Sequence, residues 1–266
     1  MPPIETGLLN GRVPFLRGGS GPRHAVVFFG VNALFKRLDQ IPNPLRYAHQ
    51  VARFLPGHRI TILGYAASTF DEIVRDAAAA IATAPDVVLG ISLGGFVAMR
   101  FAATHPQLVP RLVLLVSAHR FSPAGSHRME RQIAALERED LPALIRENAL
   151  LFRRPWYNWL LRCKLWKEGN RIAAGFRDPA AILETYRQLF GPEFANNAAY
   201  AQRITCPTLL IGGNADQFFD RLAIEETAAL IPDAQLRLFE NETHMLPIER
   251  SAEVAAAIKA FVSRSA

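Results

Sequence analysis

The chain has 266 residues, half of them apolar and a fifth charged, which fits one large folded domain or two small ones and excludes intrinsic disorder. Its most apolar stretch, residues 25–35, contains Asn32, is followed by Lys36 and falls short of the roughly 18 residues a membrane span needs, so no span is expected. The net charge of +6 is concentrated in residues 153–177, where seven basic side chains stand against Glu168 alone; no nucleic-acid motif accompanies them, and charge by itself argues only for non-specific binding.

Residues 1–10 have no basic segment leading into an apolar run and so do not read as a secretory signal. Short runs rich in Val, Ile, Leu and Phe then predict buried strands at 25–29, 60–63, 86–91 and 112–117. Helical periodicity predicts helices between them at 45–54, 71–82 and 93–104, the second opened by Thr69 and acidic in its first turn. After Ser117 the alternation breaks, and helical stretches follow at 127–138, 141–152, 155–166 and 179–190, holding all three tryptophans, Trp156, Trp159 and Trp166. Strands resume at 208–211 and 235–239, with helices at 221–230 and 252–262. Such alternation predicts a mostly parallel sheet flanked by helices, with a helical insertion between two of its strands.

Two cysteines, Cys163 and Cys206, make no disulfide framework. With no targeting signal, the expectation is a reduced, cytoplasmic protein. No Cys/His cluster has metal-ligand spacing, so no metal site is expected.

The chemistry gathers at Gly90-Ile91-Ser92-Leu93-Gly94, a G-x-S-x-G motif between a predicted strand and a predicted helix. A serine on so sharp a turn has strained backbone angles and an exposed hydroxyl, and glycines flank it because side chains there would collide. The N–H of Leu93, at the helix N-terminus, is then aimed at a developing oxyanion. The bland alternative is a Gly/Ser turn with an N-capping serine.

A nucleophilic serine needs a base, and the base an orienting acid. His244 is the only histidine after His127 and follows the last predicted strand. Asp216 follows the strand before it, in Gly212-Gly213-Asn214-Ala215-Asp216. Asp220 and Glu240 compete for the acid role, although Asp220 stands where it would cap the helix from Arg221.

Together these segments, with His244-Met245-Leu246-Pro247-Ile248-Glu249 and the helical insertion, resemble the capped serine-hydrolase branch of the α/β-hydrolase superfamily over nearly the whole chain. The resemblance implies an α/β fold with an eight-stranded, mostly parallel sheet, and a helical cap after the sixth strand. The core would be residues 1–120 and 201–266, and the cap 121–200. It implies a cofactor-free, metal-free mechanism with Ser92, Asp216 and His244 as the catalytic triad. Phe28-Phe29-Gly30-Val31-Asn32 stands where the family's His-Gly oxyanion motif lies, so the backbone N–H of Val31 would pair with that of Leu93. Two departures weaken any subfamily assignment: Gly64-Tyr65-Ala66-Ala67-Ser68 replaces an acidic, glycine-rich turn, and Thr243 stands where glycine often precedes the catalytic histidine.

Asn32, His119, Trp156 and Trp159 are the expected substrate contacts, the tryptophans lining an apolar acyl pocket. The expected activity is hydrolysis of carboxylic esters, with lipophilic esters and lactones among the candidates. Thioester hydrolysis, perhydrolysis, acyl transfer, carbon–carbon cleavage and non-catalytic ligand binding stay open. The basic segment is open between solvent, an acidic substrate group and an anionic lipid surface. A serine nucleophile argues against the branches that use aspartate at the elbow.

Overall fold

The computed structural model describes residues 4–41 and 43–263. Its sheet has eight strands: β1 (Glu5–Leu9), β2 (Val13–Gly19), β3 (Arg23–Phe28), β4 (His58–Leu63), β5 (Val87–Ile91), β6 (Leu112–Leu115), β7 (Thr208–Gly213) and β8 (Ala234–Phe239). Their order is β1-β2-β4-β3-β5-β6-β7-β8. Only the pairings of β2 with β1 and β4 are antiparallel. Every residue of β6 and β7 is buried, as expected for parallel strands covered on both faces, whereas the edge strands β1 and β8 have no buried residue; the burial expected at 235–239 fails because β8 has a neighbour on one side only.

The six later strands fall where the apolar runs predict them. The leading hairpin, β1 and β2, has no such signal of its own: β1 is half polar, and Pro14, Gly18 and Gly19 dilute the pattern of β2. Tertiary pairing with β4 makes it part of the sheet, Phe15 facing Leu63 in register.

The helix Leu93–Thr104 is buried along almost its entire length and packs on β3, β5 and β6. Even Arg100 is buried, its guanidinium lying 4.4 Å from the Phe70 ring and 4.7 Å from that of Tyr200 while its Nε donates to Asn197 Oδ1. Helix Phe70–Ala80 begins as predicted, with the Thr69 hydroxyl accepting from the Glu72 N–H.

Between β6 and β7 the described residues form helices and no strand: Pro123–Glu137, Leu141–Ala149, Pro155–Ala173, Pro179–Leu189 and Asn197–Gln202 are the α-helices. The third runs a further two turns beyond its expected end at Trp166, because Gly169 packs against Pro142 of the preceding helix instead of ending the turn. Among the described residues no helix is long and apolar enough to cross a membrane.

Candidate active site

Ser92 stands between β5 and the helix Leu93–Thr104 with φ 54° and ψ −122°, a conformation that costs a non-glycine residue of order 1–3 kcal/mol. The turn is so tight that a Cβ on Gly94 would lie 2.0 Å from the Phe28 carbonyl oxygen, and one on Gly90 2.7 Å from Gly95 Cα. The Ser92 side chain makes no capping bond to the helix, so the bland alternative of an N-capping serine does not hold. A second strained residue, Val116 (φ 46°), directly follows the neighbouring β6 and lines the same cavity; nothing in its residue type signals this.

Strands β7 and β8 deliver the other two side chains. The turn after β7 is held to the loop after β8 by Ala215 N–H to the Glu242 carbonyl at 3.0 Å and by Asn241 N–H to Asn214 Oδ1 at 2.7 Å. The Glu240 carboxylate accepts from the Asn214 amide, and Asp220 caps the helix Arg221–Leu230 by accepting from the Ala223 N–H, so both competing acids are engaged elsewhere. Asp216 accepts at Oδ1 from the N–H groups of Phe218 and Phe219, at 2.7 and 3.1 Å. Its Oδ2 lies 2.8 Å from His244 Nδ1, and His244 Nε2 lies 2.9 Å from Ser92 Oγ. A carboxylate can only accept, so Nδ1 carries the proton and Nε2 is left to accept from the serine hydroxyl. The Asp216 carboxylate is fully buried, and the rings of Phe218 and Phe219 flank the imidazole, with centroids 4.9 and 5.8 Å away.

Gly30 packs against the Ser92 side chain, since a Cβ there would lie 3.5 Å from Ser92 Cβ. This places the Val31 peptide beside the serine. Among the described residues, neither the Val31 nor the Leu93 N–H donates to a protein acceptor. The buried Tyr65 hydroxyl donates to the Phe29 carbonyl at 2.5 Å and so holds this loop from behind; burial pushes its phenol well above the ordinary range. Tyr65 sits in the segment that departs from the family pattern, which is why sequence alone does not single it out.

Ser92, Val31, Leu93 and His244 open on a cavity of about 570 Å³, within the usual size of a small-molecule site. The insertion contributes Met129, Phe152, Tyr157, Leu161, Tyr186 and Phe190 to its mostly apolar wall. Gln132 Oε1 accepts from the Tyr186 hydroxyl at 2.9 Å and from Asn148 Nδ2 at 3.0 Å, tying three inserted helices together at that wall. Arg46 and Lys164 also line it, and among the described residues no acidic one does.

Of the expected substrate contacts, Asn32 lines the cavity. His119 does not: its N–H donates to Thr227 Oγ1 and its Nδ1 lies 2.9 Å from the same oxygen, which fixes it on the helix Arg221–Leu230 as a structural residue. Trp156 and Trp159 are also off the cavity. The helix Pro155–Ala173 turns Tyr157, Leu161 and Lys164 inward, three and four residues apart, and this rotation leaves the tryptophans 56% and 63% exposed on its outer side.

The chain is 29% identical over 220 residues to the pimeloyl-[acyl-carrier protein] methyl ester esterase of Chromobacterium violaceum, covering 75% of this chain and 80% of that one. It is 28% identical over 182 residues to Lipase 1 of Psychrobacter immobilis, covering 65% of this chain and about half (54%) of that protein. Its fold superposes on the enol-lactonase of Burkholderia xenovorans with a TM-score of 0.74 at 17% identity, covering 98% of this chain and 100% of the other. Residues 9–257 match the model of the alpha/beta hydrolase family, and the chain belongs to that family.

Proposed function

We propose that the chain is a serine hydrolase that cleaves small carboxylic esters bearing an apolar group. One observation carries the reading: an unbroken hydrogen-bonded line from Asp216 through His244 to a strained Ser92, opening on a largely apolar cavity. The names of the relatives, a methyl ester esterase and a lipase, support the same class of bond.

In this reading His244 Nε2 takes the Ser92 proton as Oγ attacks the ester carbonyl. The negative charge that develops on the carbonyl oxygen is held by the N–H groups of Val31 and Leu93, the latter at the positive end of a 12-residue helix. Each such donor is commonly worth about 3 kcal/mol in the transition state. The imidazolium, oriented by Asp216, returns the proton to the leaving alcohol. Water deprotonated by the same nitrogen then attacks the acyl-enzyme, and the acid leaves as Ser92 is reprotonated. Residues 121–200 act as a cap over the core of residues 1–120 and 201–266, and Asn32 contacts the substrate from the core side. A reducing, cytoplasmic location belongs to the same proposal and fits two unpaired cysteines, Cys163 and Cys206.

The test is intact-mass spectrometry after fluorophosphonate treatment, with peptide mapping, beside Ser92→Ala. One adduct on Ser92, absent from the variant, supports an activated nucleophile. A panel of p-nitrophenyl esters, acyl thioesters and vinylogous diketone acids then fixes the bond; faster turnover of either of the last two overturns the ester reading. No adduct on folded protein overturns the mechanism and leaves ligand binding without catalysis.

A further inference from the structure

The helix Pro155–Ala173 has three faces of different character. Leu165, Gly169 and Ala173 are buried, and the helix packs against Leu141–Ala149. Tyr157, Leu161 and Lys164 reach the cavity. The outer face carries Trp156, Trp159, Leu160 and Trp166, which are 56%, 63%, 48% and 81% exposed. One exposed apolar side chain is ordinary; three indoles and a leucine on one helix face form a ridge that needs an occupant.

The charge around the ridge is of one sign. Arg162, Lys164 and Lys167 are exposed, and among the described residues none of them forms an ion pair. Only Glu168 opposes them on this helix, and it is already paired with Arg171 at 2.8 Å. The ridge also begins at the rim of the cavity. The Trp156 ring lies 5.8 Å from that of Tyr157, which lines the cavity, and Ile248, 45% exposed, lines it as well.

We propose that this face docks on an anionic lipid bilayer, with the indoles at headgroup depth and the flanking cations on acidic headgroups. Indole rings favour the membrane–water interface, and long cationic side chains reach past an apolar face to the headgroups. A helix with Trp and Leu on its exposed apolar face and Lys and Arg beside it is the pattern of a peripheral, interfacial segment. A second copy of the chain fits poorly, because a self-complementary contact would set Arg162, Lys164 and Lys167 of two molecules against each other. Docking on this face brings the apolar rim of the cavity to the surface that holds lipophilic molecules. The docking itself does not depend on the bond the site cleaves.

The experiment is co-sedimentation of the full chain with phosphatidylcholine vesicles, with and without about one-third phosphatidylglycerol, alongside tryptophan emission and quenching by brominated lipid. Expected are binding to the anionic vesicles, a blue shift and quenching on binding, and release as salt rises. The variant Trp156→Ser/Trp159→Ser/Trp166→Ser should lose about tenfold or more in partitioning while melting at the parent temperature. The variant Arg162→Gln/Lys167→Gln should lose the preference for anionic over neutral vesicles. Absence of wild-type binding to either vesicle overturns the proposal. So do full binding by the tryptophan variant, and a stable dimer by analytical ultracentrifugation that the tryptophan variant abolishes.

Discussion

Arg153 Nη1 lies 3.2 Å from Glu242 Oε1, linking the inserted helices to the loop that carries His244. Glu242 is almost wholly buried two residues before that histidine, and Arg250 Nε donates to the same oxygen at 2.7 Å. The Glu249 carboxylate accepts from the Arg153 N–H at 3.0 Å, so the junction is closed from both sides. Contacts of Arg153 thus hold the loop on which His244 stands. Glu242→Gln removes the shared charge while leaving the shape. Because both arginines are partly exposed, the expected cost is about 1–2 kcal/mol of stability, with a several-fold fall in kcat. Thermal melting and steady-state kinetics check it; unchanged kcat with lowered stability would show that the junction stabilises the fold without positioning His244.

Ser92→Ala and His244→Ala should each lower ester turnover by about 10³-fold or more, and the double variant should fall little further. The two side chains share one hydrogen bond at 2.9 Å, the basis for expecting them to act as a unit. Single-turnover kinetics of the three variants measure this, and additive losses would show that they act independently.

Tyr65→Phe deletes the hydroxyl that holds the Phe29 carbonyl and leaves the ring in place. The loop carrying the Val31 N–H loses its brace. The expected result is about a tenfold lower kcat, corresponding to about 1.4 kcal/mol, with KM nearly unchanged, since the Val31 donor matters most when charge develops. An equal rise in KM would instead mean that the loop serves substrate binding.

Gln132→Leu leaves the buried Tyr186 hydroxyl without its acceptor and leaves Asn148 Nδ2 only its bond to the Leu144 carbonyl at the cavity wall. Unfolding by urea should show a loss of about 1–3 kcal/mol. Gln132→Glu keeps the acceptor and should keep more of that stability in mildly acidic solution.

Burial, and after it the charge of Arg120, lowers the pKa of His119 from its ordinary 6.5. The unfolded chain therefore binds the proton more readily than the folded one. Its contribution to stability is fully present above 6.5 and is lost as pH falls from there through the lower folded value. His119→Gln should flatten the melting temperature over that acidic range, and an unaltered slope would show that other groups set it.

The G-x-S-x-G turn, the order Ser92, Asp216, His244 and the positions of six strands, though not the exposure of β8, are legible in the chain. Each is a local signal: a turn only glycines permit, apolar runs of strand length, a lone histidine after the last of them. These determine the family and bring the three side chains within one reading. The tertiary structure decided what local signals do not encode. The hairpin of β1 and β2 is held by pairing with β4, not by its own pattern. Tyr65 holds Phe29, 36 residues away in sequence, and Glu242 reaches across to Arg153 in the insertion. An aromatic-rich helix predicts Trp156 and Trp159 in the pocket, yet helix rotation, set by how Leu165, Gly169 and Ala173 pack, turns Tyr157 and Leu161 inward and leaves the indoles outside. A sequence fixes which residues share a helix face; only the packing of that helix fixes which way the face points.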